Sequence, residues 1–184
     1  MGIEQELEVA TSSTKQLISQ IEQAYGSAID ISDANGAVNR ARSVLDNNEE
    51  PAMQHAWVEV TVAYASLSAQ VHAHCKGMSV MQGVGRDIID KRMDASIASM
   101  RTALRQIVAN PQVLGALPEY GIEADAVTAL AGTAVEVAAN DVDSAAAWIY
   151  RCWDHLLAAA KDKANAKASA SAKNSSGGSQ KHKL

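Results

Sequence analysis

The sequence of 184 residues lacks phenylalanine altogether and contains only three prolines and two cysteines. Two cysteines, Cys75 and Cys152, are too few for a disulfide framework and predict reduced thiols in an intracellular protein. Aromatic residues make up 4% of the chain, which disfavours an all-β fold because sheets depend on β-branched and aromatic side chains. With so few prolines, long stretches of the chain contain no helix breaker.

The sequence also shows no pattern typical of a membrane span or a signal peptide. No stretch approaches the roughly 18 continuous apolar residues that cross a bilayer. The first ten residues carry three glutamates and neither the basic cluster nor the apolar run of a signal peptide. We therefore expect a soluble intracellular protein, in the cytoplasm or within an assembled particle. The terminal His182-Lys183-Leu184 resembles a peroxisomal targeting tripeptide, with histidine where a small residue belongs, so the peroxisome is the alternative location.

Alanine is abundant, at 35 residues, and apolar residues make up 47% of the chain. Alanine has the highest helix propensity, and apolar residues recur here at helical spacing between the prolines and glycines. The sequence predicts an all-α fold. We expect an antiparallel bundle of about five or six helices over residues 1–160 and a flexible C-terminal tail over residues 161–184.

Six helical segments follow from the spacing of apolar residues. They span about 3–28, 32–45, 51–76, 87–109 and 122–139, and a sixth begins at Asp141 or Asp143. The first segment has an uninterrupted heptad seam, which predicts packing along the bundle or against another subunit. That seam consists of Ile3, Leu7, Ala10, Thr14, Leu17, Ile21, Ala24 and Ala28.

Charge is distributed unevenly along the chain. Residues 161–184 carry six lysines against one aspartate, a net charge of +5, so the other 160 residues carry −10 because the whole chain is −5. A basic tail on an acidic body predicts a partner for the tail, such as nucleic acid, an acidic lipid surface or an acidic neighbouring subunit. The alternative is a solubilising disordered end. The tail lysines are Lys161, Lys163, Lys167, Lys173, Lys181 and Lys183.

Two pairs of metal-binding residue types occur at helical spacing. His72 and Cys75 are three apart in the third segment, and Cys152 and His155 are three apart in the sixth. If these helices pack side by side, two thiolates and two imidazoles meet in a tetrahedral zinc site. The alternative is that both cysteines act as small apolar side chains in the core.

Large side chains are concentrated in the sixth segment. It contains Trp148, Tyr150 and Trp153, while Trp57 flanks the apolar stripe of the third. These aromatic residues cover a wider arc of the sixth helix than one contact needs, which predicts an interaction surface for another subunit or a partner. The alternative is that the sixth helix lies at the centre of the bundle.

No pattern typical of catalysis is present, so we predict neither catalytic residues nor a cofactor. The leading hypothesis is a non-enzymatic structural or assembly protein that self-associates through helical faces and contacts an acidic partner through its basic tail. A component of a virus or other large particle fits this description best. The alternative is a helical metal- or ligand-binding protein that uses the His/Cys cluster, and a small enzyme ranks third.

Overall fold

The computed structural model describes residues 2–78, 85–109 and 142–176. In these ranges the chain forms no strand, which confirms the all-α prediction. The predicted helix over residues 122–139 lies outside the described residues. We number the described helices in chain order: α1 (Ile3–Tyr25), α2 (Ser32–Asp46), α3 (Glu50–Met78), α4 (Arg86–Ala109) and α5 (Val142–Ser176), with a short 3-10 turn at Gly26–Ala28.

Helix α1 ends at Tyr25, directly before a glycine and short of the predicted limit near residue 28. Gly26 has a φ of 56°, a left-handed conformation that glycine adopts without steric cost, and its N–H donates to the Glu22 carbonyl. The chain then turns through the short 3-10 segment, and Asp30 closes the turn by accepting hydrogen bonds from the Ser32 N–H and hydroxyl. Two helices of unequal length are thereby joined by a tight connection.

The buried stripe of α1 differs from the predicted seam. Of the predicted positions, Ala10 and Leu17 are only half-buried, and Ala24 is exposed. The buried residues differ from the predicted seam because α2 and α3 both pack on α1. The positions of these two helices determine which residues of α1 are covered. The fully buried residues of α1 are Leu7, Thr11, Thr14, Ile18 and Ile21.

Helix α3 lies at the centre of the described core. It contacts each of the other four described helices. Five consecutive residues, from Val58 to Val62, are all buried, so the helix has no solvent face along this stretch. Buried hydroxyls are accommodated by local hydrogen bonds, as where Ser68 Oγ donates to the Tyr64 carbonyl at 2.9 Å. The central position that the sequence left open for the sixth predicted helix belongs to α3.

Contacts between α3 and α5 show which residues of the two helices lie side by side. The Lys76 ammonium, near the end of α3, donates to Asp143 Oδ2 at the start of α5, at 2.7 Å. Glu59, in the first half of α3, lines a cavity together with Leu156 and Lys167 of α5. The end of α3 therefore meets the start of α5, and later residues of α5 lie beside earlier residues of α3.

Residues 161–176 continue α5 as a helix, in contrast to the flexible tail that the composition suggested. Alanine and lysine both favour helix, and the segment is anchored at its beginning by the buried part of α5. Its described side chains are exposed. We call residues 161–176 the basic extension. No described helix is long and apolar enough to span a bilayer.

Candidate interaction surfaces

The residues of the predicted zinc site lie on two neighbouring helices. His72 and Cys75 are buried near the end of α3, and Cys152 is buried in α5. The side chain of His155 lies outside the described part of the structure. Among the described side chains, no group of three or more histidines, cysteines and acidic residues is arranged to hold a metal ion.

The register of α3 and α5 separates the two halves of this predicted site. Because Lys76 contacts Asp143, Cys75 lies level with the start of α5. Cys152 follows nine residues after Asp143, roughly 13 Å further along the helix at 1.5 Å per residue. Burial also raises the pKa of the Cys152 thiol to about 12, so that its proton is firmly held. Because the His155 side chain is not described, the four-ligand site stays a prediction.

Cys75 belongs instead to a small cluster between α1, α3 and α4. Its Sγ lies 3.5 Å from the Tyr25 hydroxyl, and the ring of His74 meets the Tyr25 ring edge-on at 5.3 Å. The Arg92 guanidinium stands 5.2 Å from the centre of the same ring. Burial and the Cys75 hydrogen bond raise the pKa of Tyr25 to about 12. These contacts join the end of α1 to α3 and α4, which is a structural role.

His72 gives the fold a pH dependence. Burial lowers its pKa below the ordinary value of 6.5; Asp143 opposes this effect and Lys76 adds to it. The unfolded chain therefore binds a proton more readily than the folded chain, and the free energy of unfolding should fall as pH drops below about 6.5. We expect His72→Gln to flatten this fall in denaturant titrations between about pH 7 and pH 5. An equal slope in the variant and the parent would contradict this assignment.

An acidic cleft of about 270 Å³ opens between the start of α2, the middle of α3 and α5. Three aspartates, Asp30, Asp33 and Asp154, line it, and no lysine, arginine or histidine is among its described lining residues. Hydrogen bonds from Ser32 lower the pKa of Asp30, so this carboxylate stays charged at neutral pH. We call this site the acidic cleft. No sequence pattern indicated this cleft, because only the fold brings Asp154 next to Asp30 and Asp33.

Two of the predicted surface aromatics also line the acidic cleft. Tyr150 is half-buried there, and burial raises its pKa. Trp153 is 7% exposed. The sequence prediction of an aromatic surface on this helix therefore corresponds, for these two residues, to the wall of an acidic cleft. The side chain of Trp148 lies outside the described part of the structure.

A larger cleft of about 500 Å³ lies between α1, α3 and α4. Trp57 and Tyr64 form part of its wall, and Val9 is 58% exposed at its edge. Trp57 itself is only 6% exposed and belongs to the core, because other helices surround α3. Glu6 is the one charged residue among the described residues that line this cleft, so it is a mainly apolar surface without a strong charge preference.

The basic extension carries charge opposite to that of the acidic cleft. Lys161 and Lys167 are exposed along it, as is Lys173 nearer its end. Lys163 lies on the same helix, but its side chain is outside the described part of the structure, and Lys181 and Lys183 follow the described residues. Lys167 lies beside the Arg40–Glu59 ion pair in a cavity of about 270 Å³.

No protein-family model, curated protein or solved structure matches this chain.

Proposed function

We propose that this chain is a non-enzymatic assembly protein that self-associates through helical faces, its helices forming an antiparallel bundle. The observation that carries the proposal is the basic extension, which continues α5 as a helix with exposed lysine and alanine side chains. A helix that buries so little of its own surface gains from packing against a partner. A component of a virus or other large particle is the class that this behaviour fits.

The rest of the chain offers an acidic surface to such a helix. Residues outside 161–184 carry a net charge of −10. Helix α1 bears exposed Glu4, Glu8 and Glu22, and the acidic cleft adds three more carboxylates. Opposite charges on two parts of one chain favour contact between copies and speed their encounter. A second copy is therefore the partner we propose, ahead of nucleic acid.

The alternative from the sequence, a metal-binding function through His72, Cys75, Cys152 and His155, gains no support from the described side chains. We therefore propose the assembly function, which rests on the charge and exposure of the basic extension and not on a set of metal ligands.

Native mass tests this function directly. At tens of micromolar and low salt, light scattering should show a mass above that of the 19.4 kDa monomer. Deletion of residues 161–184 should shift the protein towards monomer, and so should salt at about 0.5 M, because screening weakens contacts between exposed charges.

A shorter deletion serves as the control. Removal of residues 177–184 takes away Lys181 and Lys183 but leaves the helical extension, so most of the assembly should persist. A parent protein that is monomeric at low salt, with and without added nucleic acid, would overturn the proposal. Assembly that requires nucleic acid would identify nucleic acid as the partner of the tail instead.

A further inference from the structure

We propose that the basic extension of one copy docks in the acidic cleft of a second copy and joins the copies head to tail. This inference rests on the proposed function, since it names the two surfaces through which self-association occurs. The two surfaces differ in composition and position.

Charge complementarity is the first argument. The acidic cleft presents the carboxylates of Asp30, Asp33 and Asp154 without a basic residue among its described lining residues. Between positions 161 and 167 the extension has three lysines against Asp162. Opposite net charges on the two surfaces make the contact attractive and disfavour contacts between two clefts or two extensions.

The chemistry of the cleft walls supports a lysine-bearing helix in particular. Tyr150 and Trp153 offer aromatic faces, which attract ammonium groups as well as apolar lysine stems. The volume of about 270 Å³ equals about nine water molecules at ~30 Å³ each, room enough for a lysine side chain.

The continuity of α5 excludes the same contact within one chain for Lys167. Asp154 and Lys167 lie on one uninterrupted helix, 13 residues apart. At 1.5 Å per residue they are about 20 Å apart along its axis, more than a lysine side chain can reach. Lys167 can therefore reach an acidic cleft only in another copy. Contact between two different surfaces propagates into a ring or an open filament, as expected for a component of a large particle.

A charge exchange between two variants tests the docking. The tail variant carries K161E, K163E and K167E, and the cleft variant carries D33K and D154K, both at exposed positions. Each variant alone places like charges on both surfaces and should be monomeric by light scattering under conditions in which the parent assembles. Their equimolar mixture should assemble again, because each extension then meets a cleft of opposite charge.

The matched control carries D46K and D94K, which change the same charge at exposed aspartates outside the cleft and should leave assembly unchanged. A neutral D33N/D154N variant tests the same surface in case the lysine substitutions unfold the protein. It should weaken association by about 2- to 30-fold, the range for two exposed ion pairs.

The outcomes separate this inference from the proposed function. A monomeric parent overturns both. Assembly of the parent together with unimpaired assembly of D33N/D154N, or a mixture of the two charge variants that stays monomeric while both are folded, overturns docking in the acidic cleft and leaves self-association standing.

Discussion

Replacement of Leu156 by alanine is expected to lower the free energy of unfolding by about 3 kcal/mol, within the ~2–5 kcal/mol range for buried leucines. Leu156 is completely buried in α5, among the core residues that join this helix to α3. The change removes apolar contacts and leaves a cavity that the surrounding helices fill only in part. Urea titration followed by circular dichroism measures the loss.

The neighbouring leucine provides a matched control. Leu157 is only partly buried at the edge of the acidic cleft, so Leu157→Ala should cost about 1 kcal/mol or less, because less apolar surface returns to water. Equal losses for the two variants would show that α5 is not anchored through the face that contains Leu156. The comparison therefore tests the orientation of the helix that carries the basic extension.

Replacement of Arg40 by methionine is expected to lower the free energy of unfolding by about 2 kcal/mol. Arg40 Nε donates to Glu59 Oε1 at 2.8 Å, and a second guanidinium nitrogen contacts the same oxygen. The Glu59 side chain is 11% exposed, whereas that of Arg40 is 45% exposed. Removal of the guanidinium leaves a carboxylate in a mostly buried position on α3 without its partner. Because the Arg40 side chain is partly exposed, we expect a smaller loss of stability than for a fully buried ion pair.

A double variant separates the lost ion pair from lost packing. When Glu59 is also replaced by methionine, no buried charge remains, and most of the stability should return. Thermal unfolding of the two single variants and the double variant gives the coupling energy. A double variant as unstable as the sum of both single changes would show that Arg40 acts through packing rather than through its charge.

Local periodicity explains why the helices were predictable. Pro51 and Gly26 are residue types typical of helix ends, and the structure places them in the first turn of α3 and directly after α1. The stripe from Ile89 to Leu104 predicted α4 within a residue of its observed limits. Such features depend on neighbours three or four positions away, which the sequence displays directly.

The detailed faces were less predictable, for a physical reason. Thr11 is fully buried although its type favours the surface, and its hydroxyl lacks a hydrogen-bond partner among the described residues. Helix α3 is buried all round between Val58 and Val62, although only one stripe was expected. A residue's burial depends on which helices pack around it, and those are distant in sequence.

The acidic cleft illustrates the same limit for the candidate site. Asp30 and Asp33 flank the start of α2, whereas Asp154 follows about 120 residues later on α5. The sequence indicated that α5 bears an aromatic surface but gave no sign of these carboxylates. The predicted zinc site also depends on helix register and stays a prediction, because the side chain of His155 is not described.

The sequence by itself determined that this chain is helical, that its core is built from small and aliphatic side chains, and that its last residues carry an excess of lysine. These properties follow from composition and from spacing within a few turns. Only the tertiary structure decided that α3 is central among the described helices, that the lysines of residues 161–176 lie on an exposed helix, and that Asp154 shares one cleft with the distant Asp30 and Asp33. These arrangements depend on helix register and packing, which arise from contacts between residues far apart along the chain.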